Sequence, residues 1–246
     1  MMGNLGGKRA FVTGGSRGIG AAIVRRLARD GARVTFTYAA SADRALALVD
    51  EIEATGGHAR AVLADSADAT ELQRAIAQDA AERGGLDILV NNAGILMRGG
   101  VDEFSLADFD RMIAVNVRAV FVAIQAASPH LADGGRIVTT GSVTADRAGF
   151  AGASVYSMTK GAVAAMTRGL ARDFGPRGIT VNTVEPGPTE TEINADEQTR
   201  TMLKPMMALG RLGKDSEIAN LVAWLAGPES AFVTGAALTI DGGYLA

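Results

Sequence analysis

The chain has 246 residues, 48% hydrophobic and 21% charged, which excludes intrinsic disorder and at this length allows a core without disulfides or metal. Its formal charge of −3 argues against a general nucleic-acid binder, whose surface carries a basic balance or stripe. The absence of cysteine removes disulfides, thiol catalysis and cysteine-ligated metals.

The first residues, Met1-Met2-Gly3-Asn4-Leu5-Gly6-Gly7-Lys8, lack the apolar core of a signal peptide. No apolar run approaches the roughly 18 residues of a membrane span. The expectation is a cytoplasmic protein with one domain over residues 1–246. Short β-branched runs alternate with longer helical stretches, the signature of repeated βαβ units. In chain order, strands are expected at 9–13, 33–38, 59–63, 86–90, 136–139, 180–184 and 237–240. Most read as apolar on both faces, as buried parallel strands do. Helices are expected at 18–29, 44–54, 71–82, 106–127, 156–174 and 217–226. The pattern predicts one α/β domain of Rossmann type, a doubly wound seven-stranded parallel sheet with helices on both faces. Residues 185–212 break the rhythm. That stretch carries Pro186, Pro188 and Pro205 without strong periodicity, and loops of such length are usually lids or binding loops.

The first strand runs directly into Thr13-Gly14-Gly15-Ser16-Arg17-Gly18-Ile19-Gly20 and then a helix. Glycines there permit a tight turn and close approach of backbone to phosphate, and the helix aims free N–H groups at an anion. The spacing Thr-Gly-x-x-x-Gly-x-Gly differs from the usual Gly-x-Gly-x-x-Gly. Further along come Asn91-Asn92-Ala93-Gly94 after the fourth strand, Ser142 after the fifth, Tyr156-Ser157-Met158-Thr159-Lys160, Pro186-Gly187 after the sixth, and Asp241-Gly242-Gly243. Together these motifs resemble the short-chain dehydrogenase/reductase family over essentially the whole chain. The nearest subgroup looks like the 3-oxoacyl-[acyl-carrier-protein] reductases and related ketoreductases.

Tyr156 and Lys160 are four apart, so one helix face presents both. A free phenol is mostly protonated at neutral pH. An ammonium about 4 Å away would favour the phenolate by roughly 4 kcal/mol at an effective dielectric near 20. The expectation is therefore a Tyr156 poised to exchange a proton near pH 7 as a general acid. Ser142 is a candidate donor to a developing alkoxide. Asn116 lies in an apolar helical stretch, where a buried amide needs a partner. The resemblance implies that the matching asparagine maintains a water linking the lysine to a proton relay.

Two features depart from the family pattern. Ser142 and Tyr156 are 14 residues apart, slightly more than is common, so residues 145–150 must bulge. Glu185 stands before Pro186-Gly187 where a small residue is usual, either as an acid in the cleft or, the favoured reading, as a solvated side chain.

NAD-binding relatives of this fold place an acid at the end of the second strand to hold ribose hydroxyls. Here no carboxylate follows that strand until Asp43, while Arg17 offers a permanent charge to a 2′-phosphate. This favours NADP(H). The resemblance implies that the cofactor lies on Gly14, Ser16, Arg17, Gly18, Ile19 and Gly20, and on Tyr38, Ala39 and Ser41. It further implies Asp65 and Ser66 at the adenine, then Asn92, Ala93, Gly94, Tyr156 and Lys160. Pro186, Gly187, Thr189 and Thr191 complete the set on the nicotinamide side. His58 and His130 fall in different segments with no carboxylates around them, and no metal site is expected. Met202, Met206 and Met207 fall in the long loop, where they fill core or line an apolar pocket.

The expected activity is NADP(H)-dependent reduction of a ketone or 3-oxoacyl carbonyl, a small-molecule partner, with no nucleic acid or membrane. Asn116, Ser142, Tyr156 and Lys160 are its expected catalytic residues. A rival comes from a second resemblance: residues 169–178 and 224–229 are similar to biofilm-dispersal proteins of this fold, which bind cyclic di-GMP. The resemblance also implies a homotetramer. Small and apolar residues around much of helices 106–127 and 156–174, including Val117, Val120, Gly161 and Ala165, fit that expectation.

Overall fold

The structure is a computed structural model that describes residues 4–192 and 196–246. Seven strands form one sheet in the order β3-β2-β1-β4-β5-β6-β7, and every pairing is parallel. The strands are β1 (Arg9–Val12), β2 (Arg33–Tyr38), β3 (His58–Leu63), β4 (Leu86–Asn91), β5 (Leu131–Thr140), β6 (Thr180–Pro186) and β7 (Ala237–Ile240). The helices are α1 (Gly18–Arg29), α2 (Ala42–Ala54), α3 (Ala69–Arg83), α4 (Leu106–Ile113), α5 (Ala119–Ala127), α6 (Ser154–Phe174), α7 (Glu197–Leu203) and α8 (Asp215–Ala226).

Alternation along each strand divides the core in two. Val12, Val34, Phe36, Val90, Val138 and Val184 pack with Ile23, Leu27, Ile218 and Val222 beneath α1 and α8. Phe11, Leu89, Ile137 and Val181 point the other way, onto Leu72, Ile76, Val120, Ile124 and Val163 of α3, α5 and α6. The order of the strands reverses between β1 and β4, from which the chain winds outward in opposite directions. That switch point opens a crevice at the carboxyl ends of the strands, where open α/β sheets bind ligands.

Several expectations need correction. The edge strands β3 and β7 are only partly covered, because each has a neighbour on one side alone. The helix expected over 106–127 is broken by a π turn at Ala114–Arg118. A sequence period detects the apolar face but not one inserted residue, and such π-bulges cluster at functional sites. The stretch 185–212 is not all loop: it holds α7, whose Asp196 side chain caps the first turn through Thr199 N–H at 2.8 Å, then a 3₁₀ turn at Lys204–Met206. Residues 193–195 of that stretch lie outside the described residues. Met207 is buried, in a small cluster with Val143, Leu212 and Tyr244, whereas Met202 is exposed.

Candidate active site

The glycine turn between β1 and α1 is held by its neighbours. Gly14 N–H donates to Thr37 Oγ1 at 3.0 Å, and Gly15 N–H to Thr37 O at 2.9 Å. Thr13 Oγ1 accepts from the N–H groups of Asn92 and Ala93 at 3.0 and 3.1 Å. Asn92 Nδ2 returns a bond to Gly14 O at 2.9 Å. The turns after β1 and β4 are thus one unit. Gly14 has φ +67°, a conformation that side chains resist. A Cβ on Gly20 would lie 2.1 Å from Gly14 O, so only glycine lets α1 begin this close to the strand.

Beyond that turn, α1 has no acidic residue in its first turn and no side-chain cap at Arg17. Its leading N–H groups therefore remain available to an anion. Thr191 lies beside Gly18, its Cγ2 3.8 Å from where a Cβ would sit. Gly187 and Thr189 follow β6, with Thr189 O–H donating to Gly187 O at 2.9 Å. At the opposite end, Ser41 begins α2 without spending its hydroxyl on a cap. Asp65 accepts from Ala67 N–H at 2.9 Å and from Arg111 at 3.0 Å. Burial pushes its carboxyl up, but those two donors outweigh burial and hold it below its ordinary value.

Arg17 is not free as the sequence suggested. Its guanidinium donates to Glu192 at 2.7 Å, and Arg44 donates to the other oxygen of the same carboxylate. Charge explains the arrangement: two cations from separate elements converge where the loop after β6 offers one acid. Arg44 and Glu192 were missed in the sequence because nothing local marks residues 148 apart as neighbours.

Ser142, Tyr156, Lys160 and Asn116 come together at the ends of β4 and β5. Lys160 is only 5% exposed; its Nζ donates to Thr140 O at 2.9 Å and lies 5.7 Å from the centre of the Tyr156 ring. Asn116 sits in the π turn and is 1% exposed. Its Oδ1 accepts from Ile95 N–H at 2.9 Å, while Nδ2 donates to Ile95 O at 2.9 Å and to Thr159 Oγ1 at 3.1 Å. The amide finds its partners, as burial demands. Gly94 faces both Asn116 Oδ1 and Lys160 Nζ, each 3.5 Å from its Cβ position. Ser142 follows β5, and its Oγ accepts from Thr144 N–H at 3.2 Å and Thr144 O–H at 2.9 Å.

The electrostatics differ from expectation. Burial pushes the Tyr156 phenol up, and only a hydrogen bond with Ser142 opposes it. Lys160 is itself pushed down to about 8 by burial. Desolvation disfavours both charged forms. A lysine beyond hydrogen-bond reach of the phenol does not overcome it. Glu185 also departs from expectation. It is not solvated but 1% exposed, inside β6. Its Oε1 has no hydrogen-bond partner, and burial, aided by repulsion from Asp146 and opposed by Arg168, pushes the carboxyl up to about 6.

A family model described as enoyl-(acyl carrier protein) reductase matches residues 14–245. A short-chain dehydrogenase/reductase from Serratia marcescens superposes with a TM-score of 0.96, at 57% identity, over 99% of this chain and 100% of that one. This chain belongs to the short-chain dehydrogenase/reductase family. A short-chain dehydrogenase from Burkholderia cenocepacia, solved in complex with NADP, is 54% identical with a TM-score of 0.96 over 99% and 100% of the two chains. The cyclic-di-GMP-binding biofilm dispersal mediator protein of Escherichia coli is 49% identical over 99% of each chain. The chain is an oxidoreductase by family, on a Rossmann-type sheet. Among the described residues no group of three His, Asp or Glu is placed to hold a metal, and no helix is long and apolar enough to cross a membrane.

Proposed function

We propose that this chain is an NADP(H)-dependent reductase converting a ketone or 3-oxoacyl carbonyl to its alcohol. The observation that carries the reading is a buried lysine set beside a tyrosine and a serine at the foot of a dinucleotide cradle. The cradle fits the cofactor: an uncapped helix start, glycines where a Cβ would collide, and a β2 end without a carboxylate through Ser41. Gly14, Ser16, Gly18, Ile19 and Gly20 would hold its phosphates, Asp65 and Ser66 its adenine, and Asn92, Ala93 and Gly94 the middle. Tyr38, Ala39, Ser41, Arg17 and Arg44 would surround the 2′-phosphate, which must take the guanidiniums from Glu192. Pro186, Gly187, Thr189 and Thr191 would hold the nicotinamide end. NADPH held there would supply the hydride that the carbonyl carbon takes up.

The remaining chemistry belongs to side chains. Ser142 O–H donates to the carbonyl oxygen as negative charge grows there. Tyr156 O–H gives its proton to the same oxygen. A phenol raised by burial keeps that proton at neutral pH until the acceptor becomes basic enough to take it. Lys160 would orient the ribose of a bound cofactor, and with Asn116 it leads the replacement proton inward.

The test follows NADPH absorbance with a panel of ketones and 3-oxoacyl thioesters. Tyr156→Phe should lower turnover by at least about 10²-fold while NADPH still binds. Near-normal turnover in that variant removes Tyr156 from the mechanism. The likeness to the E. coli mediator supports a second reading, a regulator that binds a cyclic dinucleotide. Direct titration with cyclic di-GMP, alongside a panel that shows no turnover, would favour it. The first reading extends to a homotetramer acting on a small molecule in the cytoplasm, without nucleic acid or membrane.

A further inference from the structure

Ser142 must present a hydrogen to the reacting oxygen, yet a serine hydroxyl has a single hydrogen and two lone pairs. Left alone it rotates, and the hydrogen finds whichever acceptor lies nearest. Here both lone pairs are engaged by one residue. Thr144 N–H approaches Ser142 Oγ at 3.2 Å and Thr144 O–H at 2.9 Å, in the 3₁₀ turn Val143–Ala145 that Ser142 itself caps. Both residues are 8% exposed, so bulk water does not compete for these positions. With its acceptor capacity used from behind, Ser142 keeps its hydrogen for the cleft. There its neighbour is the Tyr156 phenol, whose rise through burial the Ser142 hydroxyl opposes.

The geometry points to Thr144 as a positioning residue, which aims the Ser142 hydroxyl hydrogen into the cleft, toward the carbonyl oxygen of a substrate held there. This rests on the reductase reading above. The backbone N–H alone would occupy one lone pair and leave the hydroxyl free to turn back into the 3₁₀ turn. The threonine hydroxyl closes that alternative.

Thr144→Val keeps the shape and removes the hydroxyl; Thr144→Ser keeps the hydroxyl. We expect Val to lower kcat about tenfold, about 1.4 kcal/mol of barrier, with KM for the carbonyl changed less than about twofold. Ser should restore most of the loss. In a Ser142→Ala background the Val change should cost nothing further, because the atom it positions is gone. Unaltered kcat in Thr144→Val, or the same loss with and without Ser142, would overturn the inference and assign Thr144 a structural role. Should the unmodified protein reduce no carbonyl, the reductase reading fails, and neutron structures of the parent and Thr144→Val decide the positioning separately. The Ser142 hydroxyl hydrogen facing the cleft in the parent and turned back into the 3₁₀ turn in the variant supports it; the same hydrogen direction in both overturns it.

Discussion

Replacing Glu185 with Gln changes a charge without changing a shape, and the structure gives the size of the effect. The carboxyl is buried in β6, Oε1 has no hydrogen-bond partner, and Asp146 repels the anion more than Arg168 attracts it. Moving a carboxyl from its ordinary 4.5 to about 6 is worth about 1–2 kcal/mol, the lower figure allowing for solvent screening around the exposed Asp146 and Arg168. The native state binds this proton more tightly than the unfolded chain does. Its contribution is therefore complete below pH 4.5 and lost as pH rises through about 6. Glu185→Gln should match the parent near pH 4.5 and exceed it by about 1–2 kcal/mol at pH 7.5. Urea unfolding followed by Trp224 fluorescence, at fixed protein concentration across that range, measures the difference. A stability difference that does not vary with pH would refute a desolvated carboxyl at this position.

Arg17→Ala should weaken NADPH by about 1.5–3 kcal/mol, the worth of a charge-assisted hydrogen bond, and NADH far less; equal losses in fluorescence titrations would make Arg17 structural. Asp79 is 2% exposed, accepts from Thr35 O–H at 2.6 Å and faces Arg83 at 3.6 Å. Asp79→Ala should lower unfolding free energy by about 1–3 kcal/mol, since it leaves the buried Thr35 hydroxyl without its acceptor while Arg83 keeps its bonds to Thr35 Oγ1 and Arg33 O; a loss under about 0.5 kcal/mol would show the Thr35–Asp79 bond to be dispensable. Phe121, Leu170 and Phe174 line an open groove between α5 and α6, with Phe121 half exposed, so light scattering should find a species near four times 25.3 kDa; a stable monomer at micromolar concentration would refute the tetramer.

Most of the sheet was legible because its strands are short apolar runs bounded by turns, and burial on both faces leaves them little other use. The glycine turn, Asn92, Ser142, Tyr156 and Lys160 were legible for a different reason: together they carry the resemblance to the motifs of the short-chain dehydrogenase/reductase family. What escaped was decided by three-dimensional neighbours. Glu185 reads as a surface acid because glutamate is rarely buried, and only its place beneath α6 in an interior strand overturns that. Arg44, Glu192 and Arg111 are ordinary surface charges until the fold brings Arg44 to Glu192 and Arg111 to Asp65. Thr144 is two residues from Ser142 and therefore visible, but no pattern tells which hydroxyl donates and which accepts. The π turn at Asn116 hides inside an apolar run that looks continuously helical.

The sequence also misjudged how the tyrosine is tuned, and the correction bears on the direction of the proposed chemistry. Spacing alone puts an ammonium near a phenol and implies an easily formed phenolate. Burial works against both charges: the phenol moves up, and Lys160 comes down to about 8. At pH 7 the lysine remains charged for the most part, while the phenol holds its proton firmly. A group in that state can give a proton but is a poor acceptor of one. Carbonyl reduction requires a donor at the start of its cycle, and alcohol oxidation requires an acceptor. The protein cannot shift the equilibrium between ketone and alcohol, but it sets which protonation state begins the cycle. A phenol raised by burial, with Ser142 offering its hydrogen alongside, leaves the resting site prepared for reduction.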